Sequence, residues 1–187
     1  MKLKKQYFCI FLVIVIFICN SCSNREIIVI SWPTYMVNMG GYTAEEQVEL
    51  LKESNTNSIY SNSIYANDDG SITFEMNEKQ LQSIKERFIT NMEETIKEAK
   101  ENEIIVDVSD DYKTIIFECS RDADLNIFMT TYALMTSSAA VLQMFLGEDP
   151  NDWHLKIKII NTDTDKIVEE GSIPDEEIRI SPEDWAK

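Results

Sequence analysis

Apolar positions recur along this chain in three rhythms, and each rhythm predicts a different kind of element. From Tyr7 to Cys19 the run YFCIFLVIVIFIC carries no charge and no amide. Further on, Ile72, Phe74 and Met76 alternate with Thr73 and Glu75, the period of a strand with one dry face. In the third rhythm Leu81, Ile84, Phe88, Met92 and Ile96 return every three or four residues, the spacing of a helix with one buried stripe.

These rhythms lay out the chain. EIIVISW is a short strand stopped by Pro33, and PTYMVNMGGY after it reads as irregular. Thr43 with Glu46 three positions later forms a capping box ahead of Ala44, Val48, Leu50 and Leu51, which predicts a short helix. The turn NDDG at 67–70 joins SIYA to SITFEM as a hairpin, and Asn77 with Gln80 then caps the long amphipathic helix. A second hairpin spans IIVDVSDDYKTIIFECS, and a third spans LKIKIINTDTDKIVEEG, with Leu155, Ile157 and Ile159 inward and Lys156 and Lys158 outward. Residues 125–146, LNIFMTTYALMTSSAAVLQMFL, are uncharged and long enough to cross a bilayer. Asp124 is nevertheless placed to cap this segment, seven of its residues are Asn, Thr, Ser or Gln, and Gly147 and Pro150 end it as a packed helix ends. The expected fold is α+β: a largely antiparallel sheet built from hairpins, with two long helices packed on one face and an N-terminal signal helix.

The first apolar run follows Lys2, Lys4 and Lys5 and falls within the roughly 7 to 15 residues of a signal h-region. It ends in Cys19, Asn20, Ser21, Cys22, Ser23 and Asn24. This junction resembles the lipobox of bacterial lipoproteins, in which a small residue precedes an invariant cysteine. The resemblance implies that Cys22 receives a diacylglyceryl group and becomes the mature N-terminus. Cys19 stands where the box usually has Leu, which keeps an uncleaved N-terminal anchor open as the alternative. The layout expected is a signal peptide over 1–21, a tether and short first strand over 22–40, one α+β domain over 41–176, and an acidic tail over 177–187. The protein is then expected on the outer, extracytoplasmic face of the cell membrane, where two acyl chains, at about 0.8 kcal/mol per buried CH₂, form a stable tether.

Charge narrows the partners. The net charge is −16, and loss of the three lysines in residues 1–21 takes it to −19. With no basic stripe, nucleic acid is excluded as a partner, and attachment to a membrane has to be covalent or hydrophobic. Processing at residue 22 would leave Cys119 as the one free thiol; it alternates with Ile115 and Phe117, which predicts a buried, unreactive sulfur.

Candidate chemistry is sparse. His154 is the only histidine and lacks any metal-ligand spacing, so it reads as a strand-edge packing residue. NTDTDKIVEEGS opens like a calcium loop, but Lys166 and Ser172 stand where such a loop needs Gly and Glu. Asp163 and Asp165 there, and Asp110 and Asp111 in the second hairpin, therefore read first as turn residues. No cofactor and no metal are expected. Trp32, Trp153 and Trp185, with Tyr35, Tyr42, Tyr60 and Tyr65, are candidates for a carbohydrate or peptide groove, with packing as the alternative.

The mature region resembles the small lipoproteins of unknown function found on Gram-positive cell surfaces. The features shared are the lipobox-like end, the NDDGSITFEM hairpin leading into a helix, the SDDYKTIIFE turn, and the small-residue-rich helix ending before GEDP. That family implies no particular activity. The reading is a non-enzymatic binding or interaction module with an unidentified protein or envelope partner, and with a homodimer contact through helix 125–146 as a secondary expectation. The alternative is a small membrane-tethered hydrolase, carboxylate-based or cation-dependent, using Asp110, Asp111, Asp163 and Asp165.

Overall fold

The structure, a computed structural model, describes residues 26–39 and 41–179. The signal segment, Cys22 and Trp185 lie outside these residues. Strand β1 (Ile28–Trp32) leads into helix α1 (Thr34–Met39) and helix α2 (Ala44–Ser54). The β2 (Ser63–Ala66) and β3 (Ile72–Met76) hairpin then feeds α3 (Glu78–Glu101). The β4 (Ile105–Val108) and β5 (Thr114–Cys119) hairpin feeds α4 (Leu125–Phe145), and β6 (Leu155–Asn161) and β7 (Lys166–Ile173) end the fold. All three expected hairpins form, and the fold is α+β.

Local chemistry sets the element boundaries. Asn77 Oδ1 accepts from the Gln80 amide at 3.0 Å while Gln80 Oε1 accepts from the Asn77 amide at 2.8 Å, a complete capping box. Gln80 Nε2 then donates to Ser58 O and Asn62 Oδ1, so the cap also fastens the loop before β2. Asp124 Oδ1 accepts from the amides of Asn126 and Ile127 at the start of α4, and Gly147 ends it with φ +95°, open to glycine at no steric cost.

Three features depart from the expected layout. The strands form two sheets, an antiparallel one ordered β1-β3-β2 and a mixed one ordered β4-β5-β6-β7. Within the second, β5 and β6 run parallel, from Thr114 beside Lys156 to Cys119 beside Asn161, with α4 as the crossover. The segment read as irregular contains α1, one turn of helix that follows Pro33 and buries Met36 and Val37. The domain boundary moves accordingly: β1 pairs with β3 and Trp32, Met36 and Val37 are core residues, so the folded body begins at β1. At the other end the chain returns over β7, where a Cβ on Gly171 would stand 2.5 Å from Ile178 Cδ1, so Ile178 also belongs to that body.

Helix α4 lies between the two sheets. Near its start, Phe128 and Tyr132 pack on Phe117 of β5, with ring centroids 5.7 and 5.5 Å away. At its end, Phe145 meets Trp32 of β1, Phe74 of β3 and Phe88 of α3 at 6.2, 6.1 and 5.9 Å. Eleven of its residues are buried, including Thr136, whose hydroxyl is satisfied by the Tyr132 carbonyl, and Gln143, which donates to Tyr112 O. Among the described residues α4 is the one helix long and apolar enough to cross a membrane, yet the strand after it pairs in register with the strand before it. Its exposed apolar side chains are confined to Met129, Leu134 and their neighbours in the first half, a narrower face for a second copy than the uncharged sequence suggests.

Phe145→Ala removes the ring that joins the end of α4 to the antiparallel sheet and to α3. It is expected to lower the free energy of unfolding by about 3–5 kcal/mol, read from urea denaturation curves. A loss under about 1 kcal/mol would show that the sheets are held together by other contacts.

Candidate functional site

On α4, Ala133, Ser137 and Val141 succeed one another at four-residue steps, and the first two are too small to fill the space in front of them. A half-open cleft of about 550 Å³ results, with α4 as its floor. Met36 and Met39 of α1, Gln47 and Leu51 of α2, and Phe88 of α3 supply its walls, and Trp32 enters from the end of β1. The volume falls in the range of small-ligand sites.

Among the described residues no charged side chain lines this cleft, although the chain carries −16 overall. Ser137 and Thr136 turn their hydroxyls onto α4 carbonyls and so present little polarity. Tyr132 stays neutral: burial first, then the nearby Tyr35 and Glu169, push its phenol up to about 12. Two polar atoms are left over. Among the described residues the indole Nε1 of Trp32 and the amide Oε1 of Gln47, both buried, have no hydrogen-bond partner, and Trp32 as a whole is only 4% exposed. A buried donor or acceptor without a partner costs about 1–3 kcal/mol, so each of these atoms is a local cost to the folded state.

Leu51 and Phe88 are shared with a smaller hollow of about 220 Å³. It is lined by Tyr60 and Arg87, among others, and Arg87 lies over the Tyr60 ring at 5.1 Å and donates to its hydroxyl. Among the described residues Arg87 makes no ion pair with a carboxylate.

The other candidate residues do not assemble. Asp110 and Asp111 lie in the β4–β5 turn, at the start of β5, while Asp163 and Asp165 lie in the β6–β7 turn, beyond the end of β6. Because β5 and β6 are parallel, the two pairs sit at opposite ends of the sheet, roughly 20 Å apart at about 3.3 Å per residue. The β4–β5 turn uses Asp111 internally, whereas Asp163 ties the β6–β7 turn to the chain after β5. Asp111 accepts from Ser109 Oγ and the Lys113 amide, which hold its carboxyl below the usual range, and Asp163 accepts from the Arg121 amide. No group of three or more His, Cys, Asp or Glu among the described residues could hold a metal.

His154 is exposed, with its buried neighbours Trp153 and Leu155 on either side, so it is not a packing residue. Cys119 is buried, and desolvation first and Asp163 second push its thiol up to about 12, which keeps it protonated and inert. The hollow at the carboxyl ends of β5 and β6, beside Cys119 and Asn161, is too tight for a water molecule. Of the aromatic residues singled out in the sequence, Trp32 lines the cleft and Tyr60 the neighbouring hollow, whereas Trp153 packs on Tyr35 at 6.0 Å. Met36, Gln47, Phe88 and Tyr132 carry no sequence signal for a site, because they come from four separate helices.

No family model, curated protein or solved structure matches this chain. The cleft therefore has to be judged on its own chemistry.

If Gln47 Oε1 has no partner within the chain, Gln47→Met removes a liability while keeping the side-chain volume. The variant is expected to unfold at an unchanged free energy or one raised by up to about 1 kcal/mol. A loss greater than about 1 kcal/mol in the same urea titration would mean that the amide oxygen is satisfied in the folded protein.

Proposed function

We propose that this chain is a lipid-anchored extracytoplasmic lipoprotein, held at the outer face of the cell membrane through Cys22, and that it works there as a non-enzymatic binding module. The observation that carries the binding reading is the cleft on α4, whose lining among the described residues is uncharged and largely apolar. Ligand sites are apolar hollows with a few polar groups that fix orientation, and this cleft has that composition. The address rests on the sequence between Lys2 and Asn24. Only three residues, 25–27, separate Asn24 from β1, so the body would stand close to the lipid surface.

Metabolic labelling with a fatty acid tests the address: the wild type is labelled and Cys22→Ser is not, while equal labelling of the two rejects lipidation. Binding is tested on the full chain in lipid nanodiscs with 4-phenylbutanol, a neutral and water-soluble apolar probe, using empty discs as reference. Saturable binding is expected, and Ala133→Phe, which fills the cleft from an exposed position on α4, is expected to abolish it. Undiminished binding by Ala133→Phe, or no saturable binding by the wild type, contradicts the reading.

A further inference from the structure

The two ends of the antiparallel sheet are unlike. At one end Ile28 of β1 stands beside Met76 of β3, and Ser63 of β2 stands beside Glu75, so the chain enters the body there and also turns there into α3. At the other end Trp32 pairs with Ile72, and the β2–β3 turn carries the exposed Asp68 and Asp69. The entry end presents aliphatic side chains to solvent. Ile27 and Val29 are 61% and 59% exposed, and Ile59, in the loop that Gln80 fastens to the start of α3, is 50% exposed. Ile28 and Ile30 pack against the core, which by strand alternation sends Val29 outward. Among the described residues β1 has β3 on one side and no strand on the other. Exposed aliphatic residues at a free sheet edge are where a partner is expected.

The chain before β1 identifies that partner. Ile27 is five residues from Cys22 and Val29 seven, so an extended chain lets their Cα atoms stand at most about 18 and 25 Å from that of Cys22. An uncleaved anchor ending at Cys19 would lengthen this reach by only three residues, so either form of attachment keeps the entry end beside lipid. The headgroup layer itself is roughly 5–8 Å deep on each side of the hydrocarbon.

Resting on the membrane address above, we propose that the entry end of the antiparallel sheet docks on the outer leaflet, with Ile27, Val29 and Ile59 set at the boundary between headgroups and acyl chains. The contact is apolar. Among the described residues at this end Glu26, Glu75 and Glu78 outnumber Lys79, so anionic headgroups supply no attraction. The body is thereby oriented rather than loosely tethered, and the acidic turn at 67–70 is carried at the far end of the sheet, away from the lipid.

The test places the full chain in phosphatidylcholine nanodiscs whose lipid carries a doxyl spin label near the headgroup, and follows the isoleucine δ1 methyl signals by NMR. Ile105 of β4 and Ile167 of β7, half exposed like Ile59 but on the edges of the other sheet, serve as the reference for incidental collisions with the disc. Relative to unlabelled discs, Ile27 and Ile59 are expected to lose at least about twofold more signal than this pair, because only they lie within the thin interfacial layer. Ile27→Asp combined with Val29→Asp should bring Ile59 down to the reference level on protein whose circular dichroism is native. Ile59→Asp, a loop substitution, should in turn lower the attenuation at Ile27. Equal attenuation of all four methyls, or attenuation unchanged in these variants, overturns the docking. Broadening of Ile27 that appears in unlabelled lipid as more copies are loaded per disc would assign the patch to a second copy and equally overturns it. The address is judged separately. If the wild type takes up fatty acid and stays with the discs while its methyls behave alike, the anchor stands and the docking falls. If it takes up none and leaves the discs as Cys22→Ser does, the address falls and the docking with it.

Discussion

The two sheets of this protein share no strand and no hydrogen-bond ladder, so their relation depends on what fills the space between them. That filler is α4. Its first turns bring Phe128 and Tyr132 onto Phe117 of the mixed sheet, and its last turn brings Phe145 into contact with Trp32 and Phe74 of the antiparallel sheet. From Phe128 to Phe145 a helix rises roughly 26 Å at about 1.5 Å per residue, which is enough to bridge both sheets with a single rigid element. Large aromatic rings at both ends make the joint apolar and geometrically specific, and each burial removes a substantial area from water. A seven-residue share of Asn, Thr, Ser and Gln is compatible with that position because buried members such as Thr136 and Gln143 bond to nearby backbone carbonyls.

The cleft follows from the same helix. Where α4 carries Leu142, Met144 and Phe145 the interior closes completely, and where it carries Ala133 and Ser137 the surface drops away. The depression is roofed by α1, α2 and α3, and Trp32 belongs both to the aromatic joint and to the cleft wall. A ligand in the cleft would thereby touch a residue that also braces α4 against the antiparallel sheet, so occupation of the cleft and stability of the fold are linked. By mass action a ligand that binds the folded state alone adds to its stability. The acidic surface has a separate role: its charges lie outside the cleft and keep neighbouring molecules apart.

Much of the fold was legible where the signal is local. Asn77 with Gln80 and Thr43 with Glu46 announce helix starts because a capping box closes within four residues. The dry faces of Ile72–Met76 and Leu155–Asn161 announce strands by alternation. The direction of β5 relative to β6 was not legible, since Ile115, Phe117 and Cys119 alternate identically in a parallel or an antiparallel ladder. Helix α1 was missed because one turn gives too few positions to show a period, and burial of Met36 and Val37 is decided by distant partners. For the cleft, the sequence singled out Trp32 among seven aromatics but could not tell it from Trp153, which points its ring at Tyr35. Gln47 carries no sequence signal, because burial of its amide oxygen depends on packing between elements distant in sequence. The acidic pairs were conspicuous in sequence and turned out to be separated by the length of the sheet, Asp111 closing its own turn and Asp163 holding the Arg121 amide after β5.

The claim that unites these points is that the cleft on α4 takes an apolar ligand against Trp32. Two-dimensional ¹⁵N–¹H spectra of the full chain in nanodiscs, recorded on the indole N–H groups while 4-phenylbutanol is added, test it most directly. The account predicts that the Trp32 indole resonance shifts as the probe fills the cleft, while that of Trp153 stays in place. A Trp32 resonance unmoved at saturating probe, or a shift confined to Trp153, would contradict it.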